Sequence, residues 1–149
     1  MAGDTAVRPL RPGDREAWEP LWQGYLTFYE ASLAPDVTNA TWRRFFDPLE
    51  PIGAFVAERG GRLIGIAHYL LHRSTWAPVC YCYLEDLFVE PSARGSGAGR
   101  ALIAAVEAAA REAGASRLYW MTHDTNQTAQ QLYNQVAERP GFLQYRKKL

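Results

Sequence analysis

The stretch from Val79 to Gly114, VCYCYLEDLFVEPSARGSGAGRALIAAVEAAAREAG, limits the possible folds more than any other part of the chain. Residues 79–89 are aliphatic and aromatic on both alternating faces, which reads as a strand buried in the middle of a sheet. Pro91 stops it. Gly95, Gly97 and Gly99 then form a turn, after which Leu102, Ile103, Val106, Ala109, Ala110 and Ala113 recur at helical spacing with Arg100, Glu107 and Arg111 opposite. Gly114 is a natural C-terminal cap. A buried strand running directly into an amphipathic helix calls for helices layered on a sheet.

The flanking sequence extends that pattern. TAVRPL is a short strand stopped by Pro12, and Trp18, Leu21, Trp22, Tyr25, Leu26 and Tyr29 mark one face of a first helix. A second helix is expected from Thr38 or Asn39, after a break at Pro35. AFVAERGGRLIGIAHYLLH reads as two strands about a Gly60-Gly61 turn. SRLYWMTH is a fifth strand, TNQTAQQLYNQVAE a helix, and FLQYRKKL after Gly141 a last strand. The order predicts an α/β (α+β) fold in one domain over residues 1–149, with a mixed, mostly antiparallel sheet.

Composition excludes several functions. Of the 149 residues, 48% are hydrophobic and 21% charged, so the chain is globular. Sixteen basic residues balance sixteen acidic ones, which leaves no broad positive field for nucleic acid or an anionic membrane. No apolar run approaches the ~20 residues that span a bilayer, and MAGDTAVRPLRPGD lacks a signal-peptide core. The expectation is a soluble cytoplasmic protein. Cys80 and Cys82 stand too close together to close a useful disulfide loop and read as free thiols. His68 and His72 have the i,i+4 spacing of a helical metal pair, but a strand would hold them ~13 Å apart. With His123 alone elsewhere, no metal site is expected.

The glycine turn is suited to holding phosphate on backbone N–H groups. A P-loop needs GxxxxGK[ST], and no lysine occurs before Gly141; a dinucleotide fingerprint needs GxGxxG, and Arg100 stands where the third glycine belongs. What remains is Arg94-x-x-Gly97-x-Gly99 directly after a strand.

That pattern, with YLEDLFVEP before it and Asn126-x-x-Ala129-x-x-x-Tyr133 after it, resembles the GNAT N-acetyltransferases, whose cofactor motif is R/Q-x-x-G-x-G/A. The resemblance runs from about Tyr81 to Tyr145. YLEDLFV, YW-x-T-x-x-x-N and F-x-Q-Y-R-K are most similar to the branch of diamine (spermidine/spermine-type) and histone- or polyamine-acetylating enzymes.

The resemblance implies a GNAT fold with six to seven strands and about four helices, and direct acetyl transfer from acetyl-CoA to a primary amine. The amine is a polyamine, a small diamine or a lysine side chain, and the protein is a homodimer or larger. Leu87, Phe88, Val89, Arg94, Gly95, Ser96, Gly97, Ala98, Gly99, Arg100, Asn126, Ala129 and Tyr133 then line the cofactor. An amine with a pKa near 10.4 is neutral only about once in two to three thousand molecules at pH 7, so a base is required. Glu85 is the candidate base, Tyr133 the acid for the departing thiolate, and Asp86 a contact to the substrate amine. Tyr29, Glu30, Trp76 and Tyr83 are candidates for the substrate mouth. By strand alternation Tyr81, Tyr83 and Glu85 share one face and Cys80, Cys82 and Asp86 the other, unless a bulge breaks the parity. The competing reading is an acyl-CoA-binding regulatory module without turnover.

Overall fold

In the computed structural model, which describes residues 3–149, five strands form one sheet in the order β1-β2-β3-β4-β5. These are β1 (Ala6–Pro9), β2 (Ile52–Arg59), β3 (Arg62–His72), β4 (Tyr81–Val89) and β5 (Leu118–Tyr119). The first four pair antiparallel and β5 joins β4 in parallel. The β2–β3 hairpin turns on Gly60 and Gly61 at φ 58° and 76°, the paired positive values that a type I′ turn requires.

Four helices cover the sheet: α1 (Arg15–Phe28), α2 (Pro35–Arg44), α3 (Ala98–Glu112) and α4 (Gln127–Val136). Helix α3 packs Leu102, Ile103, Val106 and Ala110 against Ala57, Ile64, Ala67, Cys82 and Leu84 on one face. Its approach depends on Gly65, where a Cβ would meet Leu102 and the Phe88 carbonyl at 3.1 Å. On the other face, Trp18, Leu21, Trp22 and Leu26 of α1 pack against Val56, Ile66 and Phe88, with Trp42 and Phe45 from the α2 region alongside. The sheet thus has two apolar layers, as its two-sided hydrophobic strands require.

Three expectations need correction. The sheet has five strands, not six or seven. FLQYRKKL forms no strand: Phe142, Leu143 and Tyr145 are more than three-quarters exposed and pair with neither edge of the sheet. Pro35 does not interrupt a helix but begins α2, because proline at the first helical position gives up an N–H that has no intrahelical partner there.

Candidate active site

The site lies where β4 and β5 part. β5 pairs with β4 only at Cys82–Leu118 and Tyr83–Tyr119, so the β4 edge from Leu84 to Val89 is left open. Backbone direction along this edge is fixed at both ends. Cys82 N–H donates to the Arg117 carbonyl on the β5 side, whereas Glu90 N–H donates to the Ile64 carbonyl on the β3 side. Alternation back from Glu90 turns the amides of Leu87 and Val89 toward the gap and commits Phe88 to β3.

The two ends are out of step because the strand bulges. His68 pairs with Asp86 and Tyr69 with Leu84, which leaves Glu85 as the extra residue. The bulge overturns the simple alternation of the sequence. Cys82 and Leu84 face α3, while Asp86 and Phe88 face α1 beside His68, Trp18 and Trp22. Glu85 is turned out into the gap. There it lines a slot with Tyr25, Tyr29, Leu84, Leu87, Trp120, Met121 and Tyr133.

Burial raises the Glu85 carboxyl above its usual range and the neighbouring Asp86 adds to the rise; a hydrogen bond from Tyr83 opposes it. Tyr133 reaches the slot from α4 and packs edge-on to Trp120 at 5.4 Å between ring centres. Burial, with a smaller contribution from Tyr29, pushes the Tyr133 phenol up to about 12. Its hydroxyl has no hydrogen-bond partner among the described residues.

Asn126 and Ala129 act at the start of α4. The Asn126 side chain caps the helix by accepting from Ala129 N–H at 3.4 Å, and Asn126 Nδ2 donates to Thr122 Oγ1. That cap sets where Tyr133, one turn beyond Ala129, enters the slot.

The glycine turn follows β4. Gly95 and Gly97 have φ of 80° and 85°, and Gly97 is the left-handed residue that precedes α3. None of the backbone N–H groups from Gly95 through Arg100 has an acceptor among the described residues, so Ser96, Ala98 and Gly99 present theirs with the rest. A Cβ added at Gly95 or Gly97 would meet no protein atom within 4 Å, which shows that this side of the loop is open. Gly99 is different: its Cβ would touch Leu132 at 3.4 Å, so it allows α4 to lie close to α3. The loop can therefore receive a diphosphate on unpaired N–H groups at a helix N-terminus.

Arg94 donates from Nε to the Val89 carbonyl at 3.1 Å, and its guanidinium lies 5.6 Å from the ring centres of Phe28 and Phe88. Arg100 turns away from the loop to Gln135 on α4. The cradle is thus chiefly backbone, as its glycines indicate.

Of the proposed substrate-mouth residues, Tyr29 lines the slot, and Tyr83 stands beside Glu85 with its ring stacked on Tyr119 at 4.9 Å. Trp76 is 76% exposed in the β3–β4 connection and Glu30 is exposed beyond α1; the slot includes neither. Tyr25, Trp120 and Met121 also line the slot and are not among the site residues that the sequence marks. Tyr25 reads in the sequence as one more apolar position of α1, and nothing in its spacing separates it from the core.

Cys82 is buried and its thiol is pushed up to about 11 by that burial, which makes it a poor nucleophile. Among the described residues no cluster of three metal-ligating side chains occurs. No described helix is long and apolar enough to cross a membrane.

Comparison with known proteins agrees with this geometry. The model of the acetyltransferase (GNAT) family matches residues 15–137. The D-amino-acid N-acetyltransferase HPA3 of Saccharomyces cerevisiae is 37% identical over 143 residues, covering 95% of this chain and 89% of that protein. An aminoglycoside N(6')-acetyltransferase type 1 of Stenotrophomonas maltophilia is 31% identical, covering 79% of this chain and 75% of that one. Among solved structures, AAC(6')-Iy in complex with a CoA-containing bisubstrate analogue superposes with a TM-score of 0.85 at 20% identity over 99% of both chains, a likeness of fold. The chain belongs to the acetyltransferase (GNAT) family and is an acetyltransferase that uses acetyl-CoA.

Proposed function

We propose that the protein transfers an acetyl group to the primary amine of a cationic small molecule, with Glu85 as general base and Tyr133 as general acid. One observation carries this reading: Glu85 from the β4 bulge and Tyr133 from α4 line the same slot, at the point where the sheet edge opens. The relatives named for D-amino acids and aminoglycosides widen the candidate acceptors beyond the polyamines, diamines and lysine side chains suggested by YLEDLFV.

The loop from Arg94 to Arg100 would hold the diphosphate of acetyl-CoA, while the Leu87 and Val89 amides face the gap. When bound, acetyl-CoA supplies an activated thioester; the remaining chemistry is proton handling by the protein. Glu85 accepts the ammonium proton, and its raised affinity for protons brings it closer to the amine it must serve. Tyr25, Tyr29 and Trp120 give the slot aromatic walls that favour a cation and exclude water. Tyr133 keeps its proton across the working range and, as general acid, gives it to the sulfur as the carbon–sulfur bond breaks.

The test is a panel of spermidine, lysine, D-amino acids and an aminoglycoside, each with acetyl-CoA. Thiol release should accompany an acetylated amine detected by mass spectrometry. Acetyl-CoA binding without transfer to any amine in the panel would reject the reading.

The exposed tail supports a homodimer. Phe142, Leu143 and Tyr145 are exposed, and Gln144 reaches Met121 at 3.3 Å, so the tail passes the short β5. Nearby, Ile103, Leu118, Trp120 and Val136 line an apolar groove. A second copy of the chain, its tail paired on this edge, would cover both surfaces in a homodimer. The free thiols fit the cytoplasm, and the whole chain acts as one catalytic domain.

A further inference from the structure

Beneath the slot lies a chain of hydrogen bonds that the reaction described above does not use. Trp18 Nε1–H donates to His68 Nε2 at 3.0 Å, and His68 Nδ1 lies 2.9 Å from Asp86 Oδ2. Trp18 is fully buried, His68 is 2% exposed and Asp86 9%. An indole N–H can only donate, so His68 Nε2 must carry the lone pair. A neutral imidazole has one N–H, which then sits on Nδ1 and is donated to Asp86. A second proton on His68 would place two N–H groups head to head at Trp18.

Asp86 also differs from the other paired carboxylates. Asp14 and Glu58 meet Arg8, Glu19 meets Arg15, Glu90 meets Arg62 and Glu107 meets Arg111. Asp86, more buried than any of these, has no arginine or lysine partner among the described residues. The titratable groups that face it are His68 from β3, Tyr25 and Tyr29 from α1, and Glu85 and Tyr83 from its own strand. The tyrosines are neutral, and Glu85 repels it. A carboxylate there, with only neutral donors around it, lacks a counter-ion and gains most from the arrival of a cation.

We propose that Trp18 and His68 are positioning residues: the indole fixes the imidazole tautomer, so that Asp86, beside Tyr25 and Tyr29 of the slot wall, is left without a counter-ion and draws the acceptor's ammonium toward Glu85. This rests on the amine-acetylating reading above. Two adjacent carboxylates thereby take different tasks, Asp86 attracting the cation and Glu85 removing its proton. His68 also stands opposite Asp86 in the ladder and so anchors the far side of the bulge that turns Glu85 into the slot.

The first test needs no turnover. With ¹⁵N-labelled histidine, and with His68→Asn to assign the signal, His68 should show a protonated Nδ1 and a bare Nε2 from pH 6 to pH 8.5. A protonated Nε2, or uptake of a second proton in this range, would overturn the proposal.

The second test reads specificity, using the amine acetylated in the panel above. Trp18→Phe removes the donor that occupies Nε2, so an imidazolium can form there in acid and cancel the Asp86 charge. The amine KM should then rise about tenfold between pH 8 and pH 6 relative to wild type, with acetyl-CoA affinity unchanged. The double variant Trp18→Phe, His68→Asn should lose that added pH dependence. A Trp18→Phe profile parallel to wild type would refute the role. If Trp18→Phe does not fold, the tautomer measurement on the wild-type protein decides alone. If no amine is acetylated, the functional reading fails while the tautomer result stands by itself.

Discussion

Gly97 and Gly114 offer a matched pair of substitutions that separates the cofactor cradle from the fold. Gly97 precedes α3 at φ 85° and Gly114 follows it at φ 80°; a Cβ at either would meet no protein atom within 4 Å. Alanine at each position therefore costs only the left-handed backbone strain, about 1–2 kcal/mol. For a chain of 149 residues that lowers Tm by about 2–8 °C. The two variants should melt within a few degrees of each other. They should differ in binding, because only Gly97 lies among the unpaired N–H groups of the cradle. Losing one backbone contact to a charged phosphate costs about 1.5–3 kcal/mol, or about 10–150-fold in Kd. Calorimetric titration with acetyl-CoA should show that loss for Gly97→Ala and a Kd within twofold of wild type for Gly114→Ala. Equal affinities in the two variants would refute the assignment of the loop.

Tyr133→Phe should lower kcat about 10²-fold with little change in Tm, since the hydroxyl it removes has no hydrogen-bond partner among the described residues; steady-state kinetics and a melting curve check both. Asn126→Ala removes the α4 cap and should cost about 1 kcal/mol of stability, measured by urea denaturation, and should reduce kcat by displacing Tyr133. The buried Cys82 should react with a thiol reagent only on unfolding, while the folded protein retains full activity. Light scattering should give a dimer's mass for the full chain, as proposed, and a monomer's after removal of residues 141–149; an unchanged mass would exclude the tail as the interface.

Much of this molecule was legible in its residues, and the exceptions have physical causes. Gly60-Gly61 announced its turn because two positive φ values in succession leave few alternatives to glycine. The strand, glycine turn and helix from residues 79 to 114 were equally plain, because period and composition change together at Pro91 and Gly97. The bulge at Glu85 was not legible: a register shift depends on the partner strand, and His68 opposite Asp86 is fixed only in three dimensions. The same holds for the Trp18–His68–Asp86 chain, whose members come from α1, β3 and β4 and share no local spacing. FLQYRKKL shows the converse failure. Its alternation suits a strand, but a strand also needs a partner, and the β5 edge that the tail passes is only Leu118–Tyr119.

The central claim is that Glu85 removes the proton from the amine, and the pH dependence of acetyl transfer tests it most directly. In the wild type, kcat/KM should fall as acid titrates Glu85, at a pH above the ordinary carboxylate range because burial and Asp86 raise its proton affinity. In Glu85→Gln the amine must deprotonate without help, so the rate should be about 10²–10⁴-fold lower at pH 7. It should then climb about tenfold per pH unit toward the amine's own pKa near 10.4, narrowing the gap. Parallel profiles for the two proteins, or equal rates at pH 7, would contradict the account.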